Sequence, residues 1–142
     1  MKFDWKNWNV GGKIIFITTC VSVFSMFLKW IDIGIKSETG FEQEAFFLLA
    51  LYIYPNIMLF KNQKIKRTLG LSFAIINIIL CIWYYQSNAL LIFGTEVNTT
   101  ATGAYIYYIS SIIFLIGILK YLPHTEQIAD KFENSTNNKE QL

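Results

Sequence analysis

Residues 68–95 read TLGLSFAIINIILCIWYYQSNALLIFGT, 28 consecutive positions without an Asp, Glu, Lys or Arg. An α-helix rises about 1.5 Å per residue, so about 20 residues cross a hydrocarbon core roughly 30 Å thick. This run exceeds that need, and its far end must therefore reach an interface or the helix must tilt. Three further uncharged stretches lie at 14–28, 45–60 and 97–119. In a chain of 142 residues that is 54% hydrophobic, with a mean hydropathy of +0.38, they predict an all-α fold, an integral membrane four-helix bundle. A soluble bundle is the competing reading, but it would leave too little polar sequence to cover a core.

The expected transmembrane domain is residues 14–122, with spans at approximately 12–31, 41–60, 68–90 and 101–122. The first reaches spanning length by taking in Lys29 and Trp30, the second by starting near Phe41 and taking in Glu42 and Glu44. Such charges sit at the rim, where long side chains reach headgroups. Residues 1–13, with Phe3, Trp5 and Trp8 among Lys2, Lys6 and Lys13, are expected to lie on the cytoplasmic surface. Residues 123–142 are expected to form a cytoplasmic tail. Pro123 should stop the last helix there, Thr125 could cap a short turn, and the polar end should be disordered.

Orientation follows from the cations, which are retained on the cytoplasmic side of short loops. Ten of the twelve Lys and Arg residues flank the same side of the spans: Lys2, Lys6 and Lys13, then Lys61, Lys64, Lys66 and Arg67, then Lys120, Lys131 and Lys139. Only Lys29 and Lys36 fall in the first outer loop and none in the second, which predicts cytoplasmic N and C termini. Trp30, Trp83, Tyr84, Tyr85, Tyr105, Tyr107 and Tyr108 would form an outer aromatic belt. The cluster at 61–67 is what topology alone requires, and a net charge of +2 gives no footing for a nucleic-acid partner.

Packing candidates come from small residues at helical spacing, which let backbones approach in lipid. Gly103, Ser110 and Gly117 recur every seven residues in span four, and Thr18, Ser22 and Ser25 share a face of span one. Asn77 lies about 14 Å along span three, near the bilayer centre, and needs an interhelical hydrogen-bond partner there. Pro55, followed by Asn56, removes a backbone donor from span two and predicts a kink or an opened turn.

Chemistry is sparse. Asp32, Glu38, Glu42 and Glu44, with Glu96 in the second loop, would gather on the outer face. An acidic vestibule of that kind could concentrate cations, with Glu42 on the lumen-facing side of span two and Glu44 pointing away. Rim anchoring is the plainer role, and Lys29 with Asp32 at i, i+3 could pair. His124 has no metal-ligand partner at a suitable spacing. Cys20 and Cys81 are expected to be buried thiols. No nucleophile elbow, zinc-protease, P-loop or dinucleotide motif occurs, so neither an enzyme nor a cofactor or metal site is expected. The two hairpins also share a pattern, Ile33-Gly34 and Phe93-Gly94 followed by Thr39-Gly40 and Thr102-Gly103, which suggests a parallel repeat.

The arrangement Trp30-Ile31-Asp32-Ile33-Gly34, then Thr39-Gly40-Phe41, then Gly103 opening the last helix resembles small four-span membrane proteins of uncharacterised function from Gram-positive bacteria. The resemblance implies the bundle and carries no activity with it. Two functions are therefore weighed. One is a nonenzymatic protein acting through a homo-oligomer or a membrane protein partner, of accessory, immunity or exclusion type. The other is an oligomeric cation channel or small transporter resting on the outer acids, Pro55 and Asn77.

Overall fold

The computed structural model describes residues 5–6, 8–34, 36–92 and 95–123. It is mostly helical. Helix α1 is Val10–Ser25, α2 is Ala50–Phe60 entered through a 3₁₀ stretch at Ala45–Leu49, α3 is Arg67–Ser87 and α4 is Thr102–Lys120. The fold is not purely α, because both helix-to-helix connections on one end form antiparallel hairpins. Strand β1, Lys29–Asp32, pairs with β2, Ser37–Thr39, and β3, Ala89–Ile92, pairs with β4, Thr95–Asn98. A bridge between Ile31 and Thr100, with Asp32 N–H donating to Thr99 O at 3.0 Å and Ala101 N–H to Trp30 O at 2.7 Å, joins the first hairpin to the start of α4.

The hairpins shorten the first two helices relative to the expected spans. Helix α1 stops at Ser25, not near residue 31, because Ser25 turns its hydroxyl onto Ser22 O at 2.7 Å and its carbonyl accepts from Trp30 Nε1 at 2.8 Å. Phe41–Glu44 form turns and not the start of span two, with Ala45 N–H donating to Gly40 O at 2.9 Å. Helices α3 and α4 are long and apolar enough to cross a membrane, whereas α1 and the 45–60 segment are shorter apolar helices. The short turn expected after Thr125 lies outside the described residues.

Helix α4 packs along α1 and α3, and the α1–α4 seam is the tighter because glycine lines it at both ends. A Cβ on Gly103 would sit 2.7 Å from Lys29 O and 2.9 Å from Ser25 O, and one on Gly117 would sit 2.9 Å from Ile14 Cγ2. Gly11, which the sequence reading did not single out, meets the Lys120 and Tyr121 backbone from the other side. Asn9 closes this end twice: its Oδ1 accepts from Gly12 N–H at 2.9 Å, capping α1, and its Nδ2 donates to Lys120 O at 2.6 Å.

Three aromatic expectations change, and one is Tyr107, which was expected in the outer belt and is fully buried. Trp30 is fully buried and not part of an exposed belt, because Gly40 and Gly103 leave room for its ring against Tyr84 and Tyr107. Trp8 is buried too, in a ring cluster with Phe16 and Phe60, while Lys13 lies 5.7 Å over the exposed Trp5 ring. Cys20, expected to be buried, is exposed on α1, and Cys81 is buried; neither forms a disulfide.

Candidate functional site

The interior of the bundle is polar at its centre. Ser22 of α1, Tyr52 of α2, Asn77 of α3 and Tyr107, Ser110 and Ser111 of α4 are all buried, and hydrogen bonds connect them across the four helices. Ser22 Oγ lies 3.0 Å from Tyr52 Oη and 2.8 Å from Ser110 Oγ; Tyr52 Oη lies 3.0 Å from Ser111 Oγ. Asn77 uses both ends of its amide, donating to Ser111 Oγ at 3.0 Å and accepting from Tyr107 Oη at 2.8 Å. Ser110 and Ser111 also reach Tyr107 O, at 2.8 and 2.9 Å.

Proton counting shows how this cluster behaves. Ser22, Tyr52, Ser110 and Ser111 bring one hydroxyl proton each, four in all. They face five contacts: Ser22–Tyr52, Ser22–Ser110, Tyr52–Ser111, Ser110–Tyr107 O and Ser111–Tyr107 O. With Ser22 donating to Tyr52, the Ser110 proton serves either Ser22 or Tyr107 O, so one of these contacts at a time lacks its proton. All members are neutral. Among the described residues no carboxylate or imidazole contacts these serines.

The residues singled out from sequence divide into four places. Asn77 and Ser110 belong to the central cluster, and Gly103 and Gly117 lie on the α1–α4 seam that brings Ser110 to Ser22. Pro55 is buried in α2, which continues through it to Phe60. Asn56 beside it donates to Tyr52 O at 2.8 Å and to Thr19 Oγ1 at 2.8 Å, adding a side-chain bond in the turn where proline has no N–H.

Asp32 and Glu42 lie apart from the cluster, exposed in the first hairpin and the turn after it. Asp32 accepts from Gly34 N–H at 3.0 Å and pairs with Lys29 at 3.2 Å. The backbone bond from Gly34, then Lys29, hold its carboxyl below the ordinary value of 3.8. Glu42 closes a reciprocal capping box with Thr39. Its Oε2 accepts from Thr39 N–H at 2.7 Å and from Thr39 Oγ1–H at 3.0 Å, while Glu42 N–H reaches Thr39 Oγ1 at 3.4 Å. These bonds, the backbone one first, hold the Glu42 carboxyl below its ordinary value of 4.5. Glu42 is therefore bonded within the turn and does not begin the helix of span two.

Tyr52, Tyr107 and Ser111 were not singled out as site residues. The signal for Ser111 was its place beside Ser110, and for the tyrosines a hydroxyl inside an uncharged run, which must find a partner. Among the described residues no three His, Cys, Asp or Glu side chains group as metal ligands would. No protein-family model matches the chain, and comparison with curated proteins and with solved structures finds no match.

Proposed function

We propose that the chain is a four-span membrane protein with both termini cytoplasmic, and that it acts without catalysis through protein contacts in the bilayer, as an accessory, immunity or exclusion factor would. One observation carries the membrane reading: large apolar side chains face outward along the helices while polar ones are buried among the core residues. Ile75, Ile79, Ile82, Ile109, Ile112 and Ile116 are exposed, while Ser22, Asn77, Ser110 and Ser111 are buried. Only 22% of the most apolar 18 residues of α3 are buried, whereas the core helix of a soluble protein would be mostly covered.

The shorter helices fit the same reading. Sixteen residues of α1 rise about 24 Å, and five 3₁₀ residues at about 2 Å each lengthen the 45–60 segment to about 26 Å. A few ångströms of mismatch against the core are met by local thinning or by flanking residues. The cations support the orientation, since the start of α1, the end of α4 and the 61–67 connector converge: Asn9 bonds Lys120 O, and Tyr121 Oη donates to Gln63 O at 3.2 Å. Both hairpins lie at the other end.

The partner reading rests on a closed, neutral interior and an apolar exterior suited to helix contacts. Purified protein in liposomes tests it against the channel reading. The expected result is no ion flux above empty vesicles; a selective, protein-dependent conductance would replace the proposal with a channel.

A further inference from the structure

Beside the start of α2 and the end of α3 there is an open pocket of about 350 Å³, within the size range of small-ligand clefts. Phe47, Trp83, Tyr84, Gln43 and Glu44 are among the residues that line it, and Gln43 Oε1 accepts from Tyr84 Oη at 3.4 Å. Trp83 and Phe47 are about two-thirds exposed, at 64% and 66%.

Glu44 differs from the other acids described on this end. Asp32 is paired with Lys29, Glu38 with Lys36, and Glu42 is held by Thr39. Glu44 makes no ion pair and no capping hydrogen bond among the described residues. It also occupies the left-handed region, at φ 55, a conformation that costs a non-glycine residue free energy. A carboxylate with no cation of its own, beside three aromatic rings, has the chemistry that recognises an organic ammonium ion: the carboxylate supplies the countercharge and the ring faces attract the cation's alkyl-substituted surface.

We propose that this pocket binds an alkylammonium group, with Glu44 as the counterion and Trp83, Tyr84 and Phe47 as the aromatic wall. The group could be free in solution or be the headgroup of a phospholipid at the membrane rim, and the chemistry is the same for both. The proposal does not depend on which face of the membrane the hairpins occupy, nor on any protein partner.

Calorimetric titration of the full chain with phenyltrimethylammonium, in neutral maltoside micelles that hold no ammonium, tests it. Saturable binding is expected, weakened at least about tenfold by Glu44→Gln and about threefold or more by Trp83→Leu, and unchanged within twofold by Asp32→Asn, which lies in the first hairpin away from the pocket. Both positions are exposed, and circular dichroism of each variant establishes that the helices remain. Absence of saturable binding, or equal binding by parent and Glu44→Gln, overturns the proposal. Repeating the titration in phosphatidylcholine nanodiscs separates the two sources. A weakened apparent affinity identifies the lipid headgroup as occupant, and an unchanged one a soluble ammonium.

Discussion

Asn77→Leu removes the one side chain that joins α3 to the central cluster by two hydrogen bonds. Leucine fills nearly the same volume, so the loss is in hydrogen bonding and not in packing. Ser111 keeps its contacts to Tyr107 O and Tyr52, but the fully buried Tyr107 hydroxyl loses the Asn77 Oδ1 acceptor at 2.8 Å. A buried donor without an acceptor costs about 1–3 kcal/mol, and Asn77→Leu should destabilise by that amount. Tyr107→Phe alone leaves Asn77 Oδ1 without its donor and should cost about 1 kcal/mol. The double variant places two apolar groups together, so it should fall short of the sum of the single effects. Hydrogen bonds measured between helices in bilayers average about 0.6 and reach about 1.7 kcal/mol, which sets the expected size of the coupling. Equilibrium unfolding with increasing dodecyl sulfate in mixed micelles, followed by helix content, measures all four free energies. Effects that add within about 0.3 kcal/mol would refute the reasoning, because they would mean that Asn77 and Tyr107 do not share a bond.

Gly117→Leu should lower stability by about 1–3 kcal/mol in the same assay, since even a Cβ meets Ile15 N at 3.1 Å, while Ile116→Leu on the exposed face should match the parent. Glu42→Gln should lower the melting temperature at pH 7, and by less at pH 3. The folded carboxyl sits below its ordinary value of 4.5, so its contribution is present above that pH and is lost as pH falls through the lower, folded value. A gap between parent and variant that persists unchanged at pH 3 would rule out the capping box as its source.

The helices were legible because uncharged runs with few alternatives lie in the chain, and α3 and α4 fall close to the expected 68–90 and 101–122. The hairpins were not. Lys29–Asp32 and Ser37–Thr39 are too short to show an alternating pattern, and the apolar run before them reads as a continuing helix. Their signals were local: Gly34 at φ 79, with Asp32 bonding back to its N–H, and the Thr39-x-x-Glu42 box, which marks a turn into a helix. Asn77 could be picked out as an amide deep in an apolar run, whereas its partners Tyr107 and Ser111 depended on which face of α4 meets α3. Glu42 and Glu44 were distinguished by ideal helix geometry starting at Phe41, and the turn through Glu44 removes that geometry.

The central claim is membrane integration with the hairpins outside and the 61–67 connector inside. Cysteine accessibility tests it most directly, in a Cys20→Ser, Cys81→Ala background carrying either Ser37→Cys in the first hairpin or Asn62→Cys in the connector, both exposed positions. Intact cells treated with a membrane-impermeant maleimide should label Ser37→Cys at once and Asn62→Cys only after permeabilisation. Equal labelling of both in intact cells, or labelling of Asn62→Cys alone, would contradict the account.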